Sequence, residues 1–302
     1  MASSALTHPR PDAAAVLQLL KPITWFPPMW AFGCGLVSSG VAAADIGWLV
    51  LICGVLLSGP LVCGTSQVVN DWFDQDVDRI NEPQRPIPSG RVPGRWGLII
   101  AWMMTALSLV VGTVLGPWGF LATAIGLLLA WAYSAPPIRL KQNGWWGNAA
   151  CGACYEGLPW FTGALVATGA LPDWRILSLA ALYSVGAHGI MTLNDFKSIE
   201  GDRQMGVRTI PVQIGPERAA LLACVVMAVP QVIVVDLLLQ WGALLMAGVV
   251  AALILVQLAC MKRMLSDPRG LAPWYNATGV TLFVLGMLAS AFAVRSILGV
   301  TP

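Results

Sequence analysis

Long apolar stretches constrain the fold of this chain more than any other sequence feature. Reading between charged residues and Gly/Pro breaks, we find nine stretches of roughly 20 residues, the length of an α-helix that crosses a ~30 Å hydrocarbon core. They cover residues 22–44, 46–70, 96–115, 118–135, 145–168, 174–194, 218–238, 241–261 and 274–298. With 57% hydrophobic and 11% charged residues, the chain has too few charges for the surface of a soluble enzyme, and its net charge of +2 does not favour nucleic acid as a partner. The sequence therefore predicts an all-α, polytopic membrane bundle of about nine transmembrane helices.

Basic residues are distributed unequally between the two sides of such a bundle. All but two of the 17 Lys and Arg residues fall before the first stretch or in the even-numbered connections, and the exceptions are Arg175 and Arg295. Because cytoplasmic loops carry the excess of Lys and Arg, we expect a multi-pass protein of the inner (cytoplasmic or intracytoplasmic) membrane. Its N-terminus and even-numbered connections should face the cytoplasm, and the stretch up to Leu20 does not read as a signal peptide.

Two polar segments of the chain resemble each other. The first acidic segment, residues 70–88, contains NDWFDQDVDR followed by RPIP, and the second acidic segment, residues 194–211, contains NDFKSIEGDR followed by RTIP. Both lie on the same predicted side, four spans apart, which predicts two repeated four-helix halves at about 22–141 and 145–269. A ninth helix at about 274–298 completes one membrane domain, 1–302. In such an arrangement the two segments can face each other across a central cavity.

The spacing of the acids sorts them on a helix. A turn of 100° per residue places four residues of each segment on one face, namely Asn70, Asp71, Asp74 and Asp78, and Asn194, Asp195, Ser198 and Asp202. Asp76 and Glu200 point away. Ionised carboxylates at membrane depth are costly unless they are paired or bind metal. Oxygen ligands without nearby His or Cys suit Mg²⁺, which completes its shell with water and substrate phosphates.

Basic residues near the same segments can donate charge-assisted hydrogen bonds to phosphate. They are Arg79, Arg85, Arg139, Lys141, Arg203 and Arg208, for each of which a membrane-interface anchor is the alternative. The chain thus combines carboxylates that can bind metal, Arg and Lys side chains that can bind phosphate, and a lipid-facing bundle. Together these features indicate an enzyme that acts on a diphosphate ester with an apolar tail. A cation transporter is the alternative from another class, and it predicts acids near the bilayer midplane instead of at helix ends.

These segments, together with YSAPPIRLK at 133–141, resemble the UbiA-type intramembrane prenyltransferases. The pattern NDxxDxxxD matches the first Asp-rich motif of that family. The second motif usually has two Asp four residues apart, but here Ser198 takes the first place, Asp202 the second, and Asp195 is the substitute. Within the family, the strings at 70–83, 85–90 and 192–203 are similar to the chlorophyll synthase branch, and CYEGLPW at 154–160 to its bacteriochlorophyll version.

The resemblance implies a reaction and a set of roles. A C20 prenyl group from geranylgeranyl or phytyl diphosphate would esterify the propionate of a (bacterio)chlorophyllide, with Mg²⁺ as cofactor. The resemblance implies one metal on Asn70, Asp74 and Asp78 and a second on Asp195 and Asp202. Asp71 would bind metal or orient a ligand, while Arg85 and Lys141 would act in catalysis and Arg79, Arg139, Arg203 and Arg208 would bind the diphosphate.

The remaining alternatives are a chlorophyll synthase and a quinone or haem prenyltransferase of the same superfamily. These enzymes differ in the molecule that accepts the prenyl group. A flat pigment needs a wide apolar site, which aromatic residues of the first and fifth stretches could line: Trp25, Phe26, Trp30, Phe32, Trp145, Trp146, Trp160 and Phe161. Glu156 and His188, inside predicted spans, are candidate pigment contacts, with structural roles as their alternatives. Geranylgeranyl reductase or other pigment-assembly proteins are the protein partners expected from the pathway.

Overall fold

The computed structural model describes residues 10–299, and this part of the chain is helical, with a single β-bridge between Asn143 and Arg208 and no strand. The predicted all-α class is confirmed. The α-helices of the described chain are α1 (Ala13–Leu20), α2 (Phe26–Ser38), α3 (Trp48–Leu56), α4 (Val62–Phe73), α5 (Gln75–Asn81), α6 (Trp96–Gly112), α7 (Gly116–Ser134), α8 (Gly144–Gly152), α9 (Leu158–Thr168), α10 (Trp174–Asn194), α11 (Ile199–Gln204), α12 (Ile210–Ile214), α13 (Pro216–Gln240), α14 (Leu244–Met264) and α15 (Pro268–Leu298). Two π-helical segments, Leu57–Leu61 and Ala153–Gly157, join α3 to α4 and α8 to α9.

Six helical segments of the described chain are long and apolar enough to cross a membrane. They are Trp48–Phe73, Trp96–Ser134, Trp174–Lys197, Pro216–Gln240, Leu244–Met264 and Pro268–Leu298. Only 22% of the apolar window in Trp96–Ser134 is buried, and Trp102, Val110 and Leu128 are exposed. Water does not tolerate apolar surface of this extent, whereas lipid does. The chain is therefore a multi-pass membrane protein.

The predicted spans differ from these segments in three places. The first predicted span, 22–44, contains the 13-residue helix α2, which is shorter than a membrane crossing. The third and fourth predicted spans form the single segment Trp96–Ser134, which a 3₁₀ turn interrupts at Thr113–Leu115 before Gly116 adopts a φ of 74°. The fifth predicted span, 145–168, is covered by α8, the π-helical segment Ala153–Gly157 and α9, and it is not one of the six segments. The count of nine, the repeat and the orientation stay predictions. The chain termini, to which the orientation refers, lie outside the described residues.

One compact unit comprises the chain up to Phe26 and Leu56–Arg139. Helix α1 begins at the N-cap Asp12, whose carboxylate accepts a hydrogen bond from the backbone N–H of Ala15 at 3.3 Å. The buried core of this unit comprises Ala15, Leu19, Val68, Val69, Ile87, Val92, Ile100 and Ala101. Burial of the apolar face of α1 in this core places the helix against α4, which leads into the first acidic segment.

The second compact unit comprises Pro27–Val55 and the chain from Leu140 onwards. Within it α2 and α9 approach closely because both carry glycine at the contact. A Cβ on Gly35 would lie 2.8 Å from the backbone nitrogen of Ala164, and one on Gly163 would lie 3.0 Å from that of Leu36. This packing groups residues 27–55 with the chain from Leu140 onwards, whereas the predicted first half, 22–141, contains them.

Candidate functional site

Both acidic segments bend at the same motif position. Asp74, with φ −100° and ψ 2°, separates α4 from α5, and Ser198, with φ −120° and ψ 7°, precedes α11. The backbone N–H of Asp78 donates to the carbonyl of Asp74, and that of Asp202 donates to the carbonyl of Ser198, both at 2.8 Å. The expected continuous helix through each segment is wrong, because these two residues leave the helical region of backbone angles. The sequence repeat nevertheless has a matching repeat in local backbone structure.

Asp71 is the buried centre of the first acidic segment. Its Oδ1 lies 2.6 Å from Nζ of Lys21 and 3.5 Å from Nη1 of Arg85. Its Oδ2 is buried and has no hydrogen-bond partner within residues 10–299. Because a buried carboxylate is stabilised by the cations it contacts, Asp71 orients Lys21 and Arg85 in this arrangement.

Arg85 is held by further carboxylates. Its Nη1 lies 2.9 Å from Oδ2 of Asp78, and its Nε and Nη2 donate to the two oxygens of Glu82 at 2.8 and 2.6 Å. Burial raises the pKa of Asp78, and Arg85 counteracts this in part. The pKa of Arg85 is raised overall. Burial alone would lower this pKa, but the hydrogen bonds to Glu82 and the charges of Asp71 and Asp78 have the larger, opposite effect. The guanidinium is therefore a fixed positive charge.

Two other motif residues of this unit also have defined partners. The amide nitrogen of Asn70 donates to the hydroxyl of Ser134 at 3.2 Å, so its oxygen is the atom that a cation could use. Nη2 of Arg139 lies 3.4 Å from Oδ1 of Asp74. Arg139 has a φ of 39°, a conformation that few residues other than glycine adopt. The structure therefore brings Arg139 to the first acidic segment.

Arg79 and Arg203 form ion pairs with acids of their own segments. Arg79 pairs with Asp76 at 2.7 Å, and Arg203 pairs with Glu200 at 2.9 Å. All four side chains are largely exposed. These arginines therefore contact the two acids that were expected to point away, and the structure does not bring them to the other motif acids.

The second acidic segment has its own hydrogen-bond network. Oδ2 of Asp202 accepts hydrogen bonds from the hydroxyls of Ser198 at 2.7 Å and Thr209 at 3.3 Å. Burial raises the pKa of Asp202, and the two hydroxyl donors oppose that shift. Asp202 is thereby held in a defined orientation. The amide nitrogen of Asn148 donates to the hydroxyl of Thr192 at 3.1 Å, and Oδ2 of Asp195 is buried without a partner among the described residues.

Two predicted phosphate ligands lie near each other in the same unit. The backbone N–H of Arg208 donates to the carbonyl of Gln142, and its carbonyl accepts from Gly144, both at 2.9 Å. These bonds tie the loop of the second acidic segment to the 3₁₀ turn Leu140–Gln142, which contains Lys141. The side chain of Arg208 is exposed and that of Lys141 is half-buried.

The donor atoms of both segments fit a hard divalent cation. Within residues 10–299 no three His, Cys, Asp or Glu side chains form a metal centre by themselves. Mg²⁺ in particular is usually bound by one or two carboxylates and by substrate phosphates, with water in the other positions. The unpartnered Oδ2 atoms of Asp71 and Asp195 and the amide oxygen of Asn70 are oxygen donors of the required kind.

The candidate pigment contacts lie in different environments. Glu156 is buried in the π-helical segment Ala153–Gly157, and its Oε2 has no partner in the described chain. Nε2 of His188 donates to the carbonyl of Trp145 at 3.2 Å. Phe32 and Trp160 are fully buried packing residues, so the expectation that they line an open site is wrong. Their burial follows from the close approach of α2 and α9.

Sequence reasoning missed two side chains that support the acids, namely Lys21 and Thr209. From sequence alone, Lys21 is interpreted as a membrane-interface anchor, because no sequence pattern links it to Asp71, which lies 50 residues further along the chain. Thr209 lies within the second acidic segment, in the Arg-Thr-Ile-Pro turn, but a hydroxyl residue in a loop carries no signal of its own.

Comparison with known proteins shows the family to which this chain belongs. The chain belongs to the UbiA prenyltransferase family, whose family model matches residues 25–277. It is 58% identical over 292 residues to the bacteriochlorophyll synthase 33 kDa chain of Cereibacter sphaeroides, with 96% of each chain covered. It is 39% identical to the chloroplastic chlorophyll synthase of Avena sativa, covering 92% of this chain and 75% of that protein. Its fold is similar to that of a UbiA homolog from Archaeoglobus fulgidus bound to DMAPP and Mg²⁺, with a TM-score of 0.74 and 22% identity. The match covers 93% of this chain and 99% of that chain.

Proposed function

We propose that the protein esterifies the propionate of bacteriochlorophyllide with a C20 prenyl group from geranylgeranyl or phytyl diphosphate, the last step of bacteriochlorophyll synthesis. The observation that carries this proposal is the 58% identity, over 96% of both chains, to a bacteriochlorophyll synthase. The identity to a chlorophyll synthase is lower, at 39%. This difference favours bacteriochlorophyllide over chlorophyllide as the acceptor.

The reaction needs a leaving group whose negative charge is neutralised. The propionate oxygen bonds to C1 of the prenyl chain while the bond from C1 to the diphosphate oxygen breaks, and the electron pair leaves with the diphosphate. Bound Mg²⁺ would polarise this bond and neutralise the departing charge. Asn70, Asp74 and Asp78 would hold one ion, and Asp195 and Asp202 a second.

The chain's own cations would act beside the metal. Arg85, charged and held by three carboxylates, would stabilise the departing diphosphate from a fixed position, together with Lys141. Arg139 and Arg208 would bind its oxygens. Arg79 and Arg203 form exposed ion pairs that are worth little in water, so a phosphate group could compete for them.

The acceptor needs no strong protein base. A propionate is ionised at neutral pH and is itself the nucleophile. Glu156, buried without a partner for Oε2, would hydrogen-bond a polar group of the pigment. His188 uses Nε2 for the carbonyl of Trp145, which leaves Nδ1 as the atom that would ligate the chlorin magnesium.

The location and the protein partners are part of the same proposal. The excess of Lys and Arg in the connections that carry both acidic segments supports an inner-membrane protein with these segments on the cytoplasmic side. An interaction with geranylgeranyl reductase or other pigment-assembly proteins follows from the shared pathway alone.

The test uses membranes that contain the full chain. They are incubated with geranylgeranyl diphosphate, Mg²⁺ and either bacteriochlorophyllide or chlorophyllide, and ester is measured by chromatography. We expect faster esterification of bacteriochlorophyllide. Asp74→Asn should abolish the reaction, whereas the matched control Asp76→Asn, which removes an exposed acid two residues away, should retain it. Absence of ester with the wild-type chain, or equal activity of both variants, would contradict the proposal.

A further inference from the structure

Lys21 lies outside both acidic segments but belongs to the ion-pair network of the first. Its Nζ is 2.6 Å from Oδ1 of Asp71, the same oxygen that lies 3.5 Å from Nη1 of Arg85. Arg85 in turn contacts Asp78 at 2.9 Å. Three ion pairs therefore connect Lys21, through Asp71 and Arg85, to the proposed metal ligand Asp78.

The backbone on both sides of Lys21 is held in place. Its N–H donates to the carbonyl of Gln18 at 3.2 Å, and its carbonyl accepts from the N–H and the hydroxyl of Thr24 at 2.9 and 2.8 Å. Its φ of 47° lies in the left-handed region, which costs free energy for a residue with a side chain. A membrane-interface anchor needs no such defined conformation, so the direction of this side chain is specified by the fold.

Helix α1, which directly precedes Lys21 in the chain, supports the same arrangement. Ala15 and Leu19 are fully buried and pack with Val68 and Val69 of α4, the helix that carries Asp71. An ammonium has three donors. Lys21 uses one of them for Asp71, and its side chain is 23% exposed, so it can bond a second anion without leaving the first.

We propose that Lys21 binds the diphosphate of the prenyl donor and that Asp71 is a positioning residue, which holds Lys21 beside Arg85. This inference rests on the proposed function, because that function supplies the diphosphate. An ammonium and a guanidinium that share one carboxylate oxygen offer donors from adjacent positions, and a diphosphate has enough oxygens to accept from both. The link through Arg85 to Asp78 favours the diphosphate over the acceptor's carboxylate, since metal ligands and diphosphate act together.

The test measures anion binding and steady-state kinetics on the purified full chain with Mg²⁺. Binding of inorganic pyrophosphate is measured by calorimetry for the wild type, Lys21→Met, Lys21→Arg and the control Lys262→Met, which removes an exposed lysine. We expect Lys21→Met to lose roughly tenfold or more in pyrophosphate affinity, as for a lost charge-assisted hydrogen bond. Its KM for geranylgeranyl diphosphate should rise while its KM for bacteriochlorophyllide stays unchanged. Lys21→Arg should keep most of the affinity, and Lys262→Met all of it.

A double variant separates binding from a structural role. Lys21→Met leaves Asp71 buried with one cation fewer, which destabilises the fold, whereas Lys21→Met/Asp71→Asn removes both charges. We expect the double variant to regain thermal stability but not pyrophosphate affinity. Regained affinity, or a rise only in the KM for bacteriochlorophyllide, would overturn the assignment. The proposed function fails separately, if the wild-type protein forms no ester.

Discussion

The hydroxyl of Ser198 donates a hydrogen bond of 2.7 Å to Oδ2 of Asp202, the last acid of the second segment. Ser198 occupies the position that Asp74 has in the first segment, and both residues interrupt the helix there. The residue that departs from the family's acidic pattern therefore orients the acid that follows it. This relationship explains how a serine can replace a carboxylate without disordering the segment.

Ser198→Ala should raise the Mg²⁺ concentration that gives half-maximal esterification roughly fivefold, because Asp202 loses a hydrogen bond worth about 1 kcal/mol. Ser198→Thr keeps the hydroxyl and should stay near the wild type. A Mg²⁺ titration of the reaction rate measures the effect. The control Ser266→Ala removes a hydroxyl that bonds only the carbonyl of Arg263. An unchanged requirement in Ser198→Ala would show that Ser198 does not orient a metal ligand.

Chelation of divalent cations should abolish esterification, and added Mg²⁺ should restore it. Asp202→Asn should raise the Mg²⁺ requirement by about tenfold or more, since the loss of one charged oxygen donor costs more than 1.4 kcal/mol. Glu200→Gln removes only exposed ion pairs with Arg203 and Arg269 and should leave the requirement unchanged. Activity that persists under full chelation, or equal effects of the two variants, would contradict the metal assignment.

Glu156→Leu should separate stability from activity. A buried carboxyl oxygen without a partner carries a desolvation cost that a leucine avoids. We therefore expect an unfolding temperature in detergent equal to or above that of the wild type, together with a loss of ester formation. Glu156→Gln keeps the shape and serves as the comparison. Wild-type activity in Glu156→Leu would rule out a substrate contact at this position.

Gly35→Ala should destabilise the protein by about 2–3 kcal/mol, because its Cβ would meet backbone atoms of α9 that cannot move aside. Gly33 lies on the same helix, and within the described residues a Cβ there would meet no atom within 4 Å outside its own stretch of helix. Gly33→Ala should therefore be neutral or stabilise by up to about 1 kcal/mol through helix propensity. Thermal unfolding in detergent checks both variants. Equal stabilities would show that α2 and α9 do not pack as closely as described.

The sequence predicted the helices where the apolar signal is local. The stretch 218–238 corresponds to α13 (Pro216–Gln240), and 241–261 corresponds to α14 (Leu244–Met264). An apolar run of this length in lipid must satisfy its backbone polar groups internally, and a helix does so within the segment. The bends at Asp74 and Ser198 were not predicted, because helix periodicity assumes uniform backbone angles and cannot indicate where a single residue leaves them.

The same limit applies to the roles of individual side chains. Phe32 and Trp160 are aromatic residues of the type expected to line a pigment site, yet the glycines of α2 and α9 bring them into the packed core. Arg79 and Arg203 have the right distance in sequence from the motifs, yet they pair with Asp76 and Glu200 at the surface. Composition indicates what a residue can contact, and packing decides what it does contact.

Apolar stretches predicted a helical membrane bundle, because hydrophobic period is a property of neighbouring residues, and the resemblance of the two acidic segments and their Arg-rich loops to a known family indicated a prenyltransferase. The partners of the acids were decided only by tertiary structure. Lys21 reaches Asp71 across 50 residues because α1 packs on α4, and Arg85 reaches Asp71 and Asp78 because its loop folds back. Coulomb attraction depends on distance in space, and that distance is set by packing between segments that the chain order does not reveal.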